Sequence, residues 1–169
     1  MKLNCIFKVR KPVIGMLHLD YLEGQPEYRG WDYLISKAKV DLYNLQDGGI
    51  DGILIENWKE YTIGERANPR NVGCLRSVCQ VLSSNAKVPL GINVLNNDYR
   101  ASFDIAKQIG TKFVQLDVFV DHVQTDYDFS PSAKEHPFEI KPNPKEIIEY
   151  RRKIYAEDII QNILDEVRV

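Results

Sequence analysis

The sequence has no apolar run approaching the roughly 20 residues of a membrane-crossing helix, so no segment reads as a helical span. It also lacks any strong charge imbalance. A formal net charge of −2 and a pI near 5.9 supply no global positive field for nucleic acid or anionic lipid. Cysteine is scarce: Cys5, Cys74 and Cys79 form neither a CxxC pair nor an even-numbered disulfide framework, which fits a reduced, cytoplasmic setting. No GxGxxG follows the first apolar run, which removes the strongest argument for a dinucleotide-binding fold. HxH and HExxH are missing as well. His18, Glu56 and Asp117 could form a mixed nitrogen and oxygen metal site, but with no such motif none is assigned, and the sequence leaves the cofactor open.

What is present is ordinary for a globular chain. With 169 residues, 44% hydrophobic and 27% charged, one domain can bury a sizeable core. The opening MKLNCIFKVRKP carries Lys2, Lys8, Arg10 and Lys11 without an acid. It reads as a solvated basic terminus; the alternative is a short mitochondrial address, though the Ser-rich amphipathic length of one is missing.

Four short apolar runs organise the rest: Pro12 to Leu19, Ile50 to Ile55, Val88 to Leu95 and Lys112 to Val120. Between them, apolar residues recur at helical spacing: Leu34, Ile35, Ala38, Leu42 and Leu45; Val72, Leu75, Val78, Cys79 and Leu82; Ala101, Ile105, Ala106 and Ile109. Gly48 and Gly49 supply positive-φ positions to end the first helix, Asn97 or Asp98 can cap the third, and Gly110 stops it. Strands alternating with such helices mean βαβ units, a parallel sheet and right-handed crossovers. The expectation is a single α/β domain over residues 1–169: about four βα units of a TIM-barrel-like fold, incomplete, with a long polar loop over 121–142. A long helix then begins at about 144, where Asn143 caps, Pro144 takes the first position and Glu146 bonds back. Ile147, Ile148, Ile154, Ile159, Ile160, Ile163, Leu164 and Val167 would carry it to the end of the chain.

Side chains alternate faces along a strand, so the polar residues can be placed. His18 shares a face with Ile14 and Met16, Glu56 with Leu54, Asn93 with Gly91 and Leu95, and Asp117 with Gln115. Each strand thus carries a polar group near its C-terminal end, the end where (β/α) barrels gather reactive residues. The candidates are His18, Asp20, Glu56, Asn57, Asn93, Asn96, Asp98, Asp117, Asp121 and His122. Glu56 and Asp117 suit acid–base work, His18 a proton shuttle; Asn57, Asn93, Asn96, Asp98 and Asp20 suit substrate binding. Each group could instead bond the neighbouring backbone or cap a helix, since buried polar groups must be paired for stability alone. Cys74 and Cys79 read as core or surface thiols, and Trp31, Trp58 and Tyr61 as aromatics over the barrel rim, with Trp58 able to wall a pocket.

Several stretches together resemble the BtpA/SgcQ family: KPVIGMLHL from Lys11 to Leu19, DGGIDGI from Asp47 to Ile53, Glu56-Asn57, PLGINVLNND from Pro89 to Asp98, and EIIEYRR from Glu146 to Arg152. The resemblance implies a TIM-barrel-like fold. It also implies a nucleosidase-like hydrolase, a phosphoribosylanthranilate-isomerase-like enzyme or a role in the biogenesis of photosystem I at the thylakoid membrane; it assigns no catalytic residue. Family members are longer, so a fragment, an incomplete gene product or a half-barrel that self-associates is expected. Two functions follow as expectations: a small-molecule enzyme acting on a nucleoside or sugar-phosphate type of substrate, or a non-catalytic assembly factor.

Overall fold

A computed structural model describes residues 5–59, 64–124 and 137–161. Four parallel strands come first: β1 (Ile14–His18), β2 (Gly52–Glu56), β3 (Leu90–Asn93) and β4 (Phe113–Val114). The intervening helices are α1 (Trp31–Asp47), α2 (Pro69–Ser83) and α3 (Tyr99–Ile109). The helical spacing read from the sequence is the packing stripe: Leu34, Ala38 and Leu42 of α1, and Leu75, Val78, Cys79 and Leu82 of α2, are buried against the outer face of the sheet. Asp98, not Asn97, caps α3, accepting from the Ala101 N–H at 3.0 Å. Of the glycine pair after α1, only Gly49 takes a positive φ, 78°; Gly48 stays helical.

The later chain departs from the sequence reading in three ways. The polar stretch after β4 holds a short antiparallel ribbon, β5 (Val123–Gln124) paired with β6 (Glu139–Ile140). The helix after it, α4 (Pro144–Lys153), is capped by Asn143 as expected but stops far short of Val167. The chain then turns into β7 (Ile160–Gln161), which pairs parallel to β4 and makes a fifth strand. Apolar spacing misled because Ile154 packs in the cluster under α3 while Ile159 and Ile160 enter the sheet's two faces, so one run of isoleucines serves two elements. Glu146 does not bond back to its cap; its carboxylate accepts from Tyr99 Oη at 2.7 Å and from Arg100, tying α4 to α3. Lys2, Tyr61, Ile163, Leu164 and Val167 lie outside the described residues.

The sheet order is β1-β2-β3-β4-β7, with β1 and β7 at its edges among the described residues. This is a (β/α) architecture of barrel type, and the sheet is open. Its outer face carries Leu17, Ile53, Ile55, Ile92 and Val94 to the helices. At the foot of the inner, concave face, Phe7 folds back from the N-terminal segment onto Leu54, Phe113 and Ile160. Two glycines make this possible. A Cβ on Gly91 would lie 2.0 Å from the Phe113 ring, and one on Gly52 2.8 Å from the Phe7 ring, so the aromatics lie directly on strand backbone.

Candidate functional site

The parallel register sets His18 beside Glu56 and Glu56 beside Asn93, so adjacent strand ends present a row of polar groups to the concave face. Asp117 joins the row from just past β4. The Asn93 side-chain amide is fully buried and donates to both carboxyls, to Glu56 Oε1 at 2.9 Å and to Asp117 Oδ1 at 2.8 Å. Two acceptors on one NH2 fix the amide's orientation. They also leave Asn93 Oδ1 buried without a partner. The other Glu56 oxygen, Oε2, lies 3.0 Å from His18 Nε2. Trp58 stacks on His18, ring centroids 5.0 Å apart and planes 15° from parallel. Met16, His18, Glu56, Trp58, Leu95, Gln115 and Asp117 line a cavity of about 360 Å³.

Burial sets the electrostatics. Desolvation, reinforced by the negative charge of Asp117 and opposed by the Asn93 hydrogen bond, pushes Glu56 up to about 7. Desolvation also raises Asp117, against hydrogen bonds from Asn93 and Gln115. His18 is lowered by desolvation. Both shifts favour the neutral forms, so the contact between His18 and Glu56 is a hydrogen bond and not a fixed ion pair.

The remaining candidates sit elsewhere. Asn57 accepts from the Leu95 N–H at 2.8 Å, joining the turns after β2 and β3. Asp98 holds the Ala67 N–H at 3.1 Å as well as its own helix cap. Asn96 is buried beside these turns and is not part of the cavity lining. Asp20 meets Lys59 Nζ at 2.7 Å, the Tyr21 N–H at 2.9 Å and Tyr33 Oη at 3.3 Å. Burial opposes its charge, but these hydrogen bonds and the Lys59 ammonium hold its carboxyl below the usual range. Asp121 is exposed, and His122 lies 3.9 Å from Glu139 on the β5–β6 ribbon. Among the described residues no group of three His, Cys, Asp or Glu side chains is placed to hold a metal ion. Cys74 and Cys79 are buried, and Cys5 is exposed.

Some participants escaped the sequence reading. Gln115 lines the cavity, which its position two residues before Asp117 could have signalled. Lys59 pairs with Asp20 across 39 positions, for which no local signal exists. Asn97 accepts from the Val118 N–H at 3.0 Å and so anchors the segment that carries Asp117.

Residues 9–169 match the model of the BtpA family. The chain belongs to that family. It is 30% identical over 159 residues to the photosystem I biogenesis protein BtpA of Synechocystis, an alignment covering 93% of this chain and 52% of that protein. It is 32% identical over 141 residues to an uncharacterized protein of Thermococcus kodakarensis, covering 78% of this chain and 54% of the relative. To the sgc region protein SgcQ of Escherichia coli it is 32% identical over 125 residues, covering 72% and 46%. The chain thus spans about half the length of the curated relatives it matches. Among solved structures, a dihydropteroate synthase from Clostridium difficile, determined in the presence of pteroic acid, superposes with a TM-score of 0.52 at 15% identity. That match covers 92% of this chain and 64% of the synthase; it shows the barrel-type fold alone. No helix among the described residues is long and apolar enough to cross a membrane.

Proposed function

We propose that this chain forms the catalytic half of a BtpA-family barrel that performs acid–base chemistry on a small polar molecule of nucleoside or sugar-phosphate type. The observation that carries this reading is the carboxyl pair: Glu56 and Asp117 share one buried amide donor, and Glu56 is raised to about 7. Two carboxyls crowded in a desolvated mouth do not ionise together easily, so one keeps a proton while the other stays basic. Glu56 is the acid–base residue, and Asp117 supplies the charge that holds its proton. His18, half exposed and within hydrogen-bond reach, passes that proton to and from solvent. Asn93 orients both carboxyls.

The test is turnover against a nucleoside and sugar-phosphate library. Glu56→Gln keeps the shape and the Asn93 contact but cannot exchange a proton, so activity should fall about 100-fold or more. An unchanged rate would end the acid–base reading.

A second reading rests on one observation, the 93% coverage of this chain by the Synechocystis photosystem I biogenesis protein. Under it the chain is a non-catalytic assembly factor that acts through its surface. A stable protein partner recovered equally by wild type and Glu56→Gln, with no turnover by either, would favour it.

A further inference from the structure

We propose that the cavity at the strand ends takes a planar nitrogen heterocycle of nucleobase type, bound through an N–H-bearing edge, and excludes phosphate. This inference rests on the acid–base site described above and narrows its substrate class.

Charge is the first argument. Among the described residues the cavity lining carries two carboxyls and no lysine or arginine. Lys59, beside Trp58 in sequence, is held by Asp20 at 2.7 Å. An anionic group entering here would meet like charge in a desolvated setting, whereas an N–H donor or a cation would meet acceptors.

The second argument concerns the places where a parallel α/β sheet usually receives phosphate. Free N–H groups at a helix N-terminus are a ready anion site. At α3, the helix that follows β3, Asp98 fills that position: its two oxygens take the Ala101 and Ala67 N–H groups, and its carboxylate would repel a second anion. At α2, Asn68 accepts from the Arg70 N–H at 2.9 Å. These two helix ends offer phosphate no open cradle; α1 begins at Gly30 without a side-chain cap, and its end is not among the residues that line the cavity.

Shape is the third. The stacked His18–Trp58 pair makes a flat wall, and Leu95 and Met16 add apolar surface, a lining suited to a thin ring and poorly matched to a hydrated tetrahedral anion. The Glu56 and Asp117 carboxyls of the lining are acceptors, and the Asn93 amide that orients them is buried outside the lining. A ring edge with N–H groups brings neutral donors to this row of acceptors, whereas a phosphate brings its donors only together with negative charge.

Calorimetric titration of the full chain tests this, with guanosine, adenosine, cytidine and their free bases set against ribose 5-phosphate and inorganic phosphate. At least one base or nucleoside should bind, and neither phosphate compound should bind at the same concentration. Trp58→Ala removes a half-exposed side chain and Asp117→Asn one acceptor charge; each should weaken the heterocycle roughly tenfold or more, with circular dichroism unchanged. The proposal is overturned if no heterocycle binds, if either phosphate compound competes, or if both variants bind like the wild type. Glu56→Gln separates this failure from that of the acid–base reading. Heterocycle binding with turnover undiminished in the variant would sink the catalytic role alone. A sugar phosphate turned over by wild type and not by the variant would sink the ligand class alone.

Discussion

The foot and the rim of the concave face are made by the same strands and the same parity of side chains, yet one is a core and the other a site. Leu54 and Glu56 are two residues apart on β2, as are Gly91 and Asn93 on β3; Phe113 and Asp117 are four apart on the β4 segment. At the foot Phe7 excludes water and offers nothing polar, so a carboxyl there would be stranded. At the rim each polar group has a neighbour one strand away. What separates the two levels is the supply of partners, not burial, since Glu56 is as well covered as much of the core at 4% exposed. A site of this kind needs a dry foundation, because the desolvation that raises Glu56 is provided by the same packed strands.

The comparison can be broken from below. Phe113→Ala removes the largest contact of the foot and should cost about 3–5 kcal/mol, measured by urea unfolding. Because the packed foot helps to desolvate the rim, the titration of Glu56 in the folded variant, followed by NMR, should move down toward the ordinary carboxyl range. An unmoved titration would show that foot and rim are independent.

From above, the expected effect depends on pH. Glu56 has a folded-state pKa of about 7, above the ordinary value of 4.5, so the folded chain keeps a proton that the unfolded chain gives up. That contribution to stability is complete below the unfolded pKa and is lost as pH rises through the folded one. Wild type should therefore lose up to about 3 kcal/mol relative to Glu56→Gln between about pH 5 and pH 8. Parallel stability curves for the two proteins would refute the raised pKa. Smaller still is Gly91→Ala, whose new methyl must displace the Phe113 ring, at about 1–3 kcal/mol. A loss no larger than that of an exposed glycine would mean that the ring moves aside freely. Asn143→Ala lies outside both levels and calibrates the scale: losing its bond from the Glu146 N–H should cost about 1 kcal/mol in thermal unfolding.

Much of this was legible in the sequence, for identifiable reasons. The alternation of side chains on a strand is strict, so His18, Glu56, Asn93 and Asp117 could be assigned one face, and parallel pairing then brings their ends together. Helix caps are local, and Asn143 and Gly110 behave as their types suggest. What failed was range. The isoleucines after Ile147 fit a helix by spacing, but Ile160 is drawn into the sheet by β4, a partner 47 positions earlier in the register. Likewise Asp20 and Asp98 carry the same carboxylate as Glu56. Only tertiary neighbours, Lys59 for one and the Ala67 backbone for the other, give them work away from the cavity.

Phe7 closes the bottom of the concave face with Leu54, Phe113 and Ile160, so among the described residues the site stands on a sealed floor. With the floor sealed, hydrons reach Glu56 from above, where the doorway is flanked by the histidine ring 3.0 Å from its carboxyl and the tryptophan stacked on it. Occupancy of that doorway then governs how fast the buried carboxyl equilibrates with bulk water, so a bound ring should slow hydron exchange at Glu56 even where it forms no bond to it.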